Sequence, residues 1–253
     1  MTILASRSTA GPPRRSPLRR FLAWHPEWWV YAVAAAAWLV LLWMDARTMS
    51  MPMTGPMDTS HTSSWTDRWV HWLLMVLAMM LLVAARQVRL VAQRSLWSRR
   101  ERSAGFFAVG YIVLWAVVGA ALVTIVVGTG LDHDATDLLV VSLLLAAAWQ
   151  TSVPRRRLVR RCDPLRLGAA SGLAGDVDCL RAGVRSGLRC LHECWPAMIA
   201  MALSQSLVLM AGLTVVLLTE RTRGANPQRR GGRPLEAWLL GGFAVVAALL
   251  PVT

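Results

Sequence analysis

The sequence predicts an all-α fold: a polytopic membrane helix bundle of about six transmembrane helices with one further amphipathic helix at the membrane surface. Three observations lead there. Of the 253 residues, 55% are hydrophobic, and they run in long blocks instead of the 3.6-residue stripe of a soluble helix. Six such blocks, roughly 28–44, 69–85, 104–128, 138–153, 195–219 and 237–253, exclude every Asp, Glu and Arg in the chain. Since a charge at the bilayer centre costs about 2.5–3.5 kcal/mol, that exclusion is what membrane crossings require. Third, the net charge of +13 carries no lysine and is unevenly spread: five Arg precede residue 28, six lie in 86–103 and nine in 154–194, against two in 45–68 and none in 129–137. The positive-inside rule then places the N-terminus in the cytoplasm.

Each segment follows from these rules. Residues 1–27, with Gly11, Pro12, Pro13, Pro17 and scattered Arg, predict a disordered basic cytoplasmic tail drawn to anionic lipid; 28–253 form the membrane domain. The first block is too long for a signal-peptide core and ends at Trp43 and Met44 without a cleavage site, so it is expected to stay as an anchor. Arginine that alternates with apolar blocks points to the lipid bilayer as partner, and no nucleic-acid partner is expected. One loop breaks the pattern: Arg221, Arg223, Arg229, Arg230 and Arg233 fall outside if block 195–219 crosses once, and at about 20 residues per span it is too short to cross twice.

Residues 176–191 place Val177, Leu180, Val184, Leu188 and Leu191 at helical spacing, with Arg181, Arg185 and Arg189 on another face. This predicts an interfacial helix on the cytoplasmic leaflet. Pro196 predicts a break after it, because proline disfavours helical geometry at Trp195 and suits the first turn of a new helix.

Chemistry concentrates around that break. Cys190, His192, Glu193 and Cys194 set two thiols, an imidazole and a carboxylate beside an apolar segment, a ligand set for soft metals. On one unbroken helix His192 would point away from the two cysteines; a break frees them to converge. Cys194 at a helix N-terminus near Arg189 would favour the thiolate, and Cys162, before Asp163 and Pro164, could add a ligand from across the loop. Cys179 lies about 16 Å from Cys190 along a helix and reads as a packing residue. On the opposite side, Met49, Met51, Met53, Met57 and His61 crowd one polar loop, and thioethers bind Cu(I) without deprotonation. Met75, Met79 and Met80 fall near one face of the second block, where packing and metal passage are both open readings. Nothing resembles a hydrolase triad, a phosphate loop or a dinucleotide fingerprint, so no enzyme is expected.

Taken in order, Trp72, Met75, Met79 and Met80; Gly110, Tyr111 and Trp115; Gln150, Pro154, Cys162 and Pro164; and Gly187, Cys190, Cys194, Trp195 and Met198 resemble a bacterial family of predicted metal-binding integral membrane proteins, a domain of unknown function often labelled copper chaperone. The resemblance covers about 65–250. The family pattern usually has a second cysteine where this chain has Glu193, and Pro where it has Leu81. The resemblance implies handling of copper or another soft metal, with a metallochaperone or membrane protein as possible partner. Two other readings stand beside it: a non-catalytic membrane anchor or assembly subunit binding a protein or lipid, and a thiol oxidoreductase.

Overall fold

The computed structural model describes residues 25–50, 64–130, 135–152, 172–204, 206–224 and 242. Among them every regular element is helical: α1 Trp28–Ser50, α2 Trp65–Met75, a π-helical turn Val76–Met80, α3 Leu81–Arg94, a 3-10 turn Trp97–Arg99, α4 Arg100–Thr129, α5 Ala135–Thr151, α6 Gly172–Ser204 and α7 Leu207–Gly224. The predicted all-α bundle is therefore observed. Three stretches, Trp28–Arg47, Trp65–Arg94 and Trp97–Thr129, are long and apolar enough to cross a membrane, and Leu138–Trp149 and Leu207–Thr219 are shorter apolar helices. Leu39, Val117, Val141 and Val208 stand exposed on the outside, the inverse of a water-facing surface. The basic tail before residue 25 and almost all of the sixth block lie outside the described residues.

Residue chemistry explains how the elements start and bend. Ser64 and Asp67 form a reciprocal capping box at the start of α2: the Ser64 hydroxyl accepts from the Asp67 amide at 3.2 Å and the Ser64 amide donates to the Asp67 carboxylate at 3.1 Å. Ten residues on, the Leu81 amide reaches back five residues to the Val76 carbonyl. The wider turn brings Met75, Val76, Ala78, Met79 and Met80 all inside, and the Trp38 indole of α1 donates to the Ala78 carbonyl at 3.1 Å. Such π-bulges recur at functional sites.

The most extensive packing joins α4 and α6. It is a close-contact interface of small residues: a Cβ on Gly110 would collide with the Leu180 carbonyl, and one on Gly183 with the Phe107 carbonyl. The buried face of α6 is accordingly Gly175, Asp176, Cys179, Ala182, Gly183, Ser186, Gly187 and Cys190, while Val177 and Leu188 stay exposed. The helix expected over 176–191 is present, with Arg181, Arg185 and Arg189 on its exposed face. Small residues let helix backbones approach, so the glycine face docks in the bundle and the branched residues face outward. Asp176, buried in that face, is held by Arg99 and Arg102 at 2.6 Å each, and Ser186 donates to Gln87 of α3.

The expected break at Pro196 is corrected, because α6 runs unbroken for 33 residues with the proline inside it. Proline supplies no amide to the carbonyl four residues back, which here belongs to His192. The Trp149 indole of α5 donates to that carbonyl at 3.1 Å, and its ring meets Trp195 edge-on at 5.9 Å between centroids. The orphaned group is thereby satisfied, and the helix continues.

Block 195–219 consequently contains two helices, the end of α6 and most of α7. Met201 and Ala202 lie with Arg68 and His71 at the start of α2, whereas α7 packs on the π turn and α3. So α7 runs back toward the arginine-bearing ends of α3 and α4, carrying Arg221 and Arg223 that way.

Two predictions follow from the packing. Trp149→Phe keeps a ring against Trp195 but strips the donor from the His192 carbonyl; unfolding in detergent should show a loss of about 1–3 kcal/mol, and unchanged stability would contradict the proposed role of the indole. Gly183→Ala should lower folded yield and thermal stability, whereas Gly105→Ala, where a Cβ meets nothing within 4 Å, should be neutral or raise stability slightly.

Candidate metal centre

The unbroken α6 carries Cys190, Cys194, Met198 and Met201 at spacings of four, four and three residues, which puts their side chains on one face. All four are buried, and they share one core cluster with Met75, Met79 and Met80 from the π-bulged helix and Met210 from α7. Two thiols and six thioethers are thus distributed through one otherwise apolar core.

The innermost group is tight. Cys190 Sγ lies 3.7 Å from Cys194 Sγ and 3.9 Å from Met80 Sδ. Metal–sulfur bonds of about 2.3 Å, the zinc–thiolate value, separate neighbouring ligand sulfurs by about 3.8–4.0 Å in tetrahedral or trigonal coordination. The three sulfurs therefore stand close to the spacing that a small soft ion needs. The Cys194 thiol donates to the Cys190 carbonyl at 2.6 Å, so ion binding must displace this proton.

Around the sulfurs, Tyr111 lies beside both cysteines. Its buried hydroxyl interacts with Cys190 and with the Trp115 indole, so tyrosine and tryptophan line the cysteine pair in series. Trp72 closes the wall, donating to the Trp115 carbonyl at 3.1 Å and filling the space left by Gly119. Helical neighbours four apart hold their Cβ atoms about 5–6 Å apart, beyond the 3.5–4.5 Å of a disulfide, so the pair is poorly placed for disulfide redox work.

The other expected ligands fall elsewhere. Glu193 is partly buried; His192 is exposed, with Nδ1 2.8 Å from the Leu188 carbonyl, and points away from the thiols because the helix does not break. For the same reason Cys194 sits mid-helix, without the expected helix-terminal field. Cys162, Met51, Met53, Met57 and His61 lie outside the described residues, and Met49 lies in the last turn of α1, where side chains are not described. Among the described residues no group of three or more His, Cys, Asp and Glu gathers; the grouping that the fold does bring together is two thiols and a thioether. Cys179 packs in the second core cluster with Phe107 and Val88, and burial, opposed in part by Ser103, pushes its thiol up.

Met201 and Met210 were not singled out from the sequence, and Met198 entered only through the resemblance. Their signal was present: read as one continuous helix, 190, 194, 198 and 201 form a single sulfur row. The assumed break at Pro196 hid it.

No curated protein and no solved structure matches the chain. A family model described as "PpoB2: Copper chaperone" matches residues 69–249, a stretch that contains the whole sulfur cluster. The chain belongs to this copper chaperone family.

Proposed function

We propose that the protein is a membrane copper chaperone that holds one Cu(I) between the thiolates of Cys190 and Cys194 and the thioether of Met80. One observation carries this reading: Cys190 Sγ, buried in the core, has the sulfurs of Cys194 and Met80 at 3.7 and 3.9 Å. Thiolate and thioether are the ligands that select Cu(I). Binding releases the two thiol protons and leaves one net negative charge, which the buried Tyr111 hydroxyl and Trp115 N–H are placed to stabilise. Holding and handing over an ion needs no bond-making step, so the protein is not an enzyme in this reading. The setting is the bacterial inner membrane with the arginine-rich ends in the cytoplasm. Met49, Met51, Met53, Met57 and His61 gather copper on the outer side, and a partner protein exchanges it.

Cu(I) titration of purified protein against a competing chelator tests this. Wild type should bind one more tightly held Cu(I) than the Cys190→Ser/Cys194→Ser variant. Met80→Leu should weaken that ion by at least about tenfold, and Cys179→Ser should change nothing. Equal stoichiometry and affinity in wild type and the double variant would remove the centre.

A further inference from the structure

We infer that copper enters through a second site, formed by His71, Met75 and Met201, and descends the sulfur row of α6 to the cysteine pair; the inference rests on the copper reading above. The site is a small cleft at the α2 end of the bundle. Its lining is Arg68, His71, Trp72 and Met75 of α2, Val123 and Val126 of α4, and Met201 and Ala202 of α6, and its open space is about 10 Å³, room for about one water-sized species.

His71 and Met75 are one helical turn apart on α2 and so share a face, and Met201 meets them from α6. One imidazole and two thioethers form a neutral set that takes Cu(I) without losing a proton. Asp45 of α1 lies close enough to act electrostatically on His71 and offsets the positive charge of Arg68 in the lining. Neutral ligands hold Cu(I) more weakly than thiolates do, so passage inward runs toward tighter binding.

The row supplies the steps. Along α6, Met201 to Met198 rises about 4.5 Å, and Met198 to Cys194 and Cys194 to Cys190 about 6 Å each. Met79 and Met80 line the same core cluster as these residues. An ion moving down this row exchanges one sulfur for the next without being released into hydrocarbon.

The test is the rate at which a Cu(I)–chelator complex loads the cysteine pair, followed by thiolate-to-copper absorption in stopped flow. The proteins are wild type, His71→Ala and the volume-conserving Met201→Leu. Both variants should load at least tenfold more slowly while final stoichiometry and Kd at the pair stay at wild-type values. Unchanged rates in both variants would overturn the entry route and leave the copper centre standing. Absence of thiolate-to-copper absorption in wild type itself would overturn both.

Discussion

The continuity of α6 depends on a single hydrogen bond, from the Trp149 indole to the His192 carbonyl. Proline supplies no amide to that carbonyl, and the Trp149 indole, on the exposed flank of the bundle, is the donor that replaces it. With it, Cys190 and Cys194 stay one turn apart on the same face as Met198 and Met201. The same device recurs across the bundle: Trp38 donates to Ala78 at 3.1 Å, Trp69 to Ala116 at 3.2 Å and Trp72 to Trp115 at 3.1 Å. A chain with 13 tryptophans uses several of them as donors to main-chain carbonyls, including those freed by a proline and a π-bulge.

That framework settles what the cysteines can do. Packed in the core with Met80 and screened from solvent, they are placed for a soft ion and poorly placed for thiol exchange, since a helical i, i+4 pair resists closure to a disulfide. Burial also makes the site selective. Removing an anionic sulfur pair from water is costly unless a cation and hydrogen-bond donors compensate, and the Tyr111 hydroxyl beside Cys190 is the donor at hand. The proton held by Cys194 on the Cys190 carbonyl supplies the neutral resting form.

Much of the fold was legible because it follows from solvent preference. Charge exclusion from apolar blocks located the helices, and arginine distribution grouped their ends. The interface between α4 and α6 was not legible in that way: hydropathy ranks Val177 and Leu188 above Gly183 and Gly187, whereas helix approach selects the glycines. Pro196 misled for a different reason, since a local rule for proline cannot see a tryptophan 47 positions earlier. Once the break was assumed, His192 and Glu193 looked like ligands, and Met198 and Met201 did not. Met75, Met79 and Met80 had been left open between packing and metal passage; the bulge places all three in the core, with Met80 against Cys190.

The central claim is that copper sits in an all-sulfur environment inside the bundle. X-ray absorption spectroscopy of the protein loaded with one equivalent of Cu(I) tests it most directly. The predicted spectrum is that of Cu(I) with two or three sulfur neighbours at about 2.3 Å and no nitrogen or oxygen in the first shell. A first shell dominated by nitrogen or oxygen would contradict it.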